Sequence, residues 1–199
     1  MRTDQDILNR ALSKQEEFDT VAQISLVGHS LFDMWDDTQN GTPNLAGRTV
    51  ANLGLSGTST RQYLDAIVKG NLIKHLGDDV FLFLGVNDIV KEPEYSPKQV
   101  LDWLLEIVAH FKRLSPDSRY YLLEATPVNN ISTTDNSEIL KLNQYVEENC
   151  PAAIRYVKTW DAFANQEGKL ESTLCCDGLH FTQKGYDVLE RILVAELEA

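Results

Sequence analysis

Short apolar runs alternate along this chain with longer segments in which apolar residues return every three or four positions. Residues 24–27 end at Gly28, residues 49–53 at Gly54, and residues 80–84 at Gly85. The third run is five consecutive large apolar residues, the pattern of a strand buried on both faces. Residues 120–125 and 154–157 complete a set of five predicted strands. Helical spacing fills the intervals. Residues 5–17 form an amphipathic opening helix with Ile7, Leu8 and Leu12 on one face. Ser96, Pro97 and Gln99 make a capping pattern, after which Leu101, Leu104, Leu105, Val108 and Phe111 recur until Ser115-Pro116 stops the helix. Segments 59–69, 136–149 and 183–197 are the remaining predicted helices.

Strand alternating with helix five times predicts an α/β fold, a three-layer α/β/α sandwich around a five-stranded, mainly parallel sheet. No repeat, low-complexity tract or proline-rich linker divides the 199 residues. The expectation is one domain over 1–199, with 1–22 as a helical extension packed on it. Reactive groups in such sheets lie just beyond the carboxyl ends of the strands, which selects the positions to inspect.

Composition narrows the function before any motif is read. Eighteen Lys and Arg against thirty Asp and Glu leave a formal net charge of −12, which repels phosphate backbones and anionic lipid surfaces and argues against a nucleic-acid partner. No apolar stretch approaches spanning length, and the N-terminal residues lack an apolar signal core. A cytoplasmic location without membrane insertion is expected. Cys150, Cys175 and Cys176 are odd in number, two of them adjacent, with no metal-ligand spacing. They read as free thiols in a reducing compartment, with Cys175 and Cys176 used in packing.

At the strand ends stand Gly28-His29-Ser30-Leu31, then Asn52-Leu53-Gly54-Leu55-Ser56-Gly57-Thr58-Ser59, then Gly85-Val86-Asn87-Asp88. Asp177-Gly178-Leu179-His180 precedes the last helix. In this order and on these elements, the chain resembles the SGNH (GDSL-like) hydrolase family over nearly its whole length. The resemblance implies a flavodoxin-like arrangement and ester hydrolysis. By position, the family's nucleophile falls on Ser30, its oxyanion-hole glycine and asparagine on Gly57 and Asn87, and its acid and base on Asp177 and His180. No metal or organic cofactor is implied, and a homodimer is implied only by likeness to acetylhydrolase-type members.

The residues support that chemistry on their own terms. Acyl transfer needs a nucleophile, a base, a group orienting the base, and donors for the developing oxyanion. Asp177 and His180 are three residues apart, so one turn brings the carboxylate to Nδ1 and leaves Nε2 facing the serine. Gly57 offers an unobstructed N–H, Asn87 a side-chain amide, and Ser30 its own N–H. Of the four histidines, His29, His75, His110 and His180, only His180 has a carboxylate at the right offset.

Two positions depart from the family pattern: His29 stands before the serine and Thr58 after the glycine, where aspartates are usual. A neutral imidazole still accepts one hydrogen bond, so the turn is expected to survive. Gly54 reads as a packing glycine, Asp88 as structural, Trp103 as core, and 129–136 as a solvated loop; Trp35 reads as pocket wall or core. The expected substrate is a small-molecule ester with a short acyl group, acetyl on a sugar or small alcohol first. A lysophospholipase or thioesterase acting on longer chains is second. A receiver or phosphate-binding module, for which Asp88 and Lys158 stand in place, is the remote alternative, since no carboxylate pair follows the first strand.

Overall fold

The computed structural model describes residues 2–36 and 41–199. Its five strands are β1 (Ile24–Gly28), β2 (Val50–Gly54), β3 (Asp79–Phe83), β4 (Arg119–Leu123) and β5 (Arg155–Val157). They form one sheet in the order β2-β1-β3-β4-β5, every pair parallel. The expected α/β fold with a parallel sheet is therefore present, in the flavodoxin-like order. That order reverses direction between β1 and β3, and there a crevice opens at the carboxyl ends.

Period-two alternation divides the core. Val80 and Leu82 face one layer, while Phe81 and Phe83 face the other. The first layer holds α1 (Asp4–Ser13), α2 (Gln15–Phe18), α6 (Pro97–Leu114) and α7 (Asn136–Asn149). It also holds the short α4 (Thr60–Gln62), which runs on into a π-helical stretch, Tyr63–Val68. The second holds α3 (Ser30–Asp33), α8 (Trp160–Phe163) and α9 (Gln183–Glu198). One further helix, α5 (Val86–Lys91), follows β3 directly. Strand and helix boundaries differ from the expected ones by one or two residues, as fraying ends do. The exceptions are the opening helix and the short α3, α5 and α8, which hold too few residues to show a period.

The opening helix is not one element. It breaks at Lys14, whose side chain turns inward, and the buried face is Ile7, Ala11, Lys14 and Phe18. Leu12 is half exposed rather than sharing the face with Ile7. Trp103 is partly buried against the core rather than within it. Trp35 resolves to core: it is fully buried and stacked on Tyr186 at 5.3 Å.

Candidate active site

Ser30 occupies the first position of α3, immediately beyond β1. The first N–H groups of a helix have no carbonyl one turn back, so the Ser30 N–H has no acceptor within α3. His29 caps this turn. Its Nδ1 accepts the Leu31 N–H at 3.3 Å, and its ring lies 4.9 Å from that of Phe83. Burial, then the neighbouring His180, lowers its pKa to about 3. A neutral, accepting imidazole therefore does here what a carboxylate would otherwise do. Gly54, at the end of β2, permits α3 to sit this low: a Cβ there would stand 2.4 Å from the Asp33 backbone nitrogen.

The second segment is a tight turn. Asp177 Oδ1 accepts the N–H groups of Leu179 and His180 at 3.0 and 2.8 Å, and Oδ2 lies 2.7 Å from His180 Nδ1. Partial burial alone would raise the carboxyl pKa. The bonds from the His180 ring and from the two backbone N–H groups outweigh it and hold the group at about 2. An ionised carboxylate only accepts, so Nδ1 donates to Asp177. Nε2, on the far side of the ring, lies 3.1 Å from Ser30 Oγ.

The third segment is the loop after β2. Gly57 has φ +77°, and its N–H makes no hydrogen bond among the described residues. Asn87 Nδ2, from α5, donates to Thr58 O at 2.8 Å, leaving its second amide proton for the cleft. Lys91 Nζ donates to Gly57 O and Gln62 Oε1. Asp88 accepts from Thr60 N and Oγ1, each at 2.8 Å to Oδ2, and burial raises it to about 7 despite those bonds. Asp88 is therefore a strut of this loop, as expected. Ser30, Gly57, Asn87 and His180 line one cleft of about 560 Å³. Such an arrangement can supply a hydroxyl, a base for its proton, a carboxylate to orient the base, and several N–H donors directed into a single space.

The GDSL-like lipase/acylhydrolase family model matches residues 26–188. The chain belongs to this family. It is accordingly an SGNH-type hydrolase, and an enzyme rather than a receiver module; Lys158 is exposed and paired with Glu147. Among solved structures, one from Streptococcus pneumonia, whose description names a platelet activating factor, aligns at TM-score 0.81 and 23% identity, covering 98% of this chain and 95% of that one. A GDSL-like lipase from Bacteroides thetaiotaomicron aligns at TM-score 0.74 and 18% identity, covering 96% and 98%. A curated relative, the N-acylneuraminate cytidylyltransferase of Escherichia coli O18:K1:H7, is 36% identical over 186 residues. The alignment takes in 94% of this chain, which spans only 43% of that relative.

Within this family member, several site residues escape a linear reading. Asp33, fully buried, accepts from Arg10 at 2.7 and 3.1 Å, Lys14 at 3.0 Å and Ser56 at 2.6 and 2.8 Å. Burial opposes its ionisation, but these donors hold it at about 2. This cluster ties α1 to α3, which carries Ser30, and to the Gly57 loop. A second, larger compartment of about 880 Å³ adjoins the cleft and is walled partly by Arg2, Asn9, Arg10 and Lys91. Ile131, Thr133 and Thr134 also line it, so the 129–136 stretch is a pocket wall there rather than only a solvated loop. Asn136 shapes that wall by exchanging hydrogen bonds with both backbone groups of Val128. The three cysteines are free. Cys175 packs against the second layer, whereas Cys176 is exposed rather than a packing residue.

Proposed function

We propose that this hydrolase is a serine esterase that removes short acyl groups, acetyl first, from sugar hydroxyls through an acyl-enzyme. The observation that carries the reading is the hydrogen-bonded line from Asp177 through His180 to Ser30, at 2.7 and 3.1 Å. Ser30 Oγ attacks the ester carbonyl carbon while His180 Nε2 takes its proton. Asp177 keeps the ring oriented and stabilises the imidazolium. The tetrahedral oxyanion accepts from the N–H groups of Ser30 and Gly57 and from the Asn87 amide. As the intermediate collapses, the C–O bond to the alcohol breaks and Nε2 protonates the departing oxygen. Water, deprotonated by His180, then attacks the acyl-enzyme, and Ser30 recovers its proton as the acid leaves. None of these steps calls for a metal or an organic cofactor.

The alcohol portion is drawn from the relative. The E. coli protein that this chain parallels is named for an N-acylneuraminate, an acidic sugar rich in hydroxyl groups, and we take an O-acylated sugar of that kind as the substrate class. The free thiols are in keeping with action in a reducing cytoplasm. Among the described residues no helix is long and apolar enough to cross a membrane.

A second reading has its own support. Val86, Val90, Val128, Ile131 and Leu179 give the larger compartment apolar walls, which would suit a longer acyl chain. A series of p-nitrophenyl esters of rising chain length, run beside O-acetylated sugars, separates the two. Short-acyl action predicts a specificity constant that falls beyond the shortest acyl groups, together with release of acetate from the sugars. A rise with chain length and inert sugars would overturn it.

A further inference from the structure

We infer that Arg2 and Lys91 form an anion-binding subsite that takes a carboxylate carried by the alcohol portion of the ester. This deepens the esterase reading and rests on it for the identity of the occupant. The larger compartment shares Arg2, Arg10, Gly57, Asn87 and Leu179 with the cleft around Ser30. The larger compartment is therefore continuous with the cleft that holds the Ser30 hydroxyl.

Although the whole chain is strongly acidic, this compartment is lined by three cations and one carboxylate. That carboxylate, Asp6, is engaged with Thr3 N and Oγ1 at 2.7 and 2.8 Å. Arg10 is bound to Asp33. Lys91 differs: its partners, Gly57 O and Gln62 Oε1, are both neutral, and an ammonium has three protons to donate. The neighbouring carboxylates are turned elsewhere, Glu92 to Ser59 and Arg61, Asp4 to Arg61 and Gln62, Asp88 to Thr60.

Arg2 approaches from the other side. Its Cδ and Nε would lie 3.2 and 3.6 Å from a Cβ at Gly57, so its stem spans the loop that also carries Lys91's carbonyl partner. The Arg2 backbone is anchored, because its carbonyl accepts from Gln62 Nε2 at 3.1 Å. Its guanidinium makes no ion pair within bonding distance among the described residues. Arg2 lies before the family-matched segment 26–188, so it is a feature of this chain rather than of the matched region.

The test uses the full chain, an O-acetylated N-acylneuraminate and the same sugar with its carboxylate converted to a carboxamide. The carboxylate form should be favoured about tenfold in kcat/KM, the effect of one charge-assisted hydrogen bond. Arg2→Ala and Arg2→Gln should bring that ratio towards one through KM. Lys91→Met should lower it as well, and Lys91→Arg should restore it. Binding of both sugars to Ser30→Ala, followed by calorimetry, removes chemistry from the comparison. Equal affinity for the two sugars, or a preference untouched by Arg2→Ala, would overturn the subsite while leaving the esterase reading intact. An Arg2-dependent preference in binding with no hydrolysis by the unaltered chain would sink the esterase reading and leave the subsite standing.

Discussion

Replacing Asn87 by Ala separates chemistry from scaffolding. Its amide has two protons: one is given to Thr58 O at 2.8 Å, and the other faces the cleft shared with Ser30 and His180. Loss of the first removes a partly buried hydrogen bond, worth about 0.5–1.5 kcal/mol of stability. In a chain of this size that lowers Tm by roughly 1–6 °C, at about 2–4 °C per kcal/mol. Under the proposed mechanism, loss of the second removes a donor to the oxyanion of the transition state and should cost on the order of 100- to 1,000-fold in kcat, about 2.7–4 kcal/mol. KM should change far less, because the ground-state carbonyl draws little on that donor. The assay is steady-state hydrolysis of p-nitrophenyl acetate beside a thermal melt. A variant with the expected loss of Tm but kcat within about threefold of the parent would show that Asn87 only holds the Thr58 loop. Asn87→Asp, which keeps the shape but presents an acceptor to the oxyanion, should be no more active than Asn87→Ala.

Other outcomes follow from the same contacts. Burial lowers the His29 pKa to about 3 from an ordinary 6.5, so the folded protein binds fewer protons there than the unfolded chain. The stabilisation is complete above pH 6.5 and is lost as pH falls towards 3. Urea midpoints measured between pH 7 and 4.5 should drop more steeply for the parent than for His29→Gln; equal slopes would contradict a buried neutral imidazole. Gly178 has φ +88°, and a Cβ there would stand 2.0 Å from Asn129 O. Gly178→Ala should therefore displace the Asp177–His180 turn and cut kcat by at least tenfold, with folding checked by circular dichroism. Asp33→Ala leaves Arg10 and Lys14 facing one another across an empty site and should cost about 3–5 kcal/mol in denaturant unfolding.

The sheet was legible because its strands are buried on both faces, so runs such as 80–84 stand out as unbroken apolar sequence. The Asp177–His180 pair was legible because both partners lie in one turn, and contact at that spacing needs no knowledge of the fold. Asp33, Arg10 and Lys14 were not. Each reads as an ordinary surface charge, and only the descent of α3 over Gly54 and the docking of α1 bring them together, 19 and 23 residues apart. The break at Lys14 went unread for the same reason: lysine is a good helix former and gives no stop signal, and its buried partner Asp33 is supplied from elsewhere in the fold. Ile131, Thr133 and Thr134 look like solvated loop because wall-forming depends on α1 standing opposite.

Labelling with an active-site fluorophosphonate, followed by peptide mass spectrometry, tests the proposed chemistry most directly. If Ser30 is the nucleophile and His180 its base, the adduct maps to Ser30, forms slowly or not at all in His180→Ala, and still forms in His29→Gln. An adduct on another residue, or rapid labelling of Ser30 in the absence of His180, would contradict it.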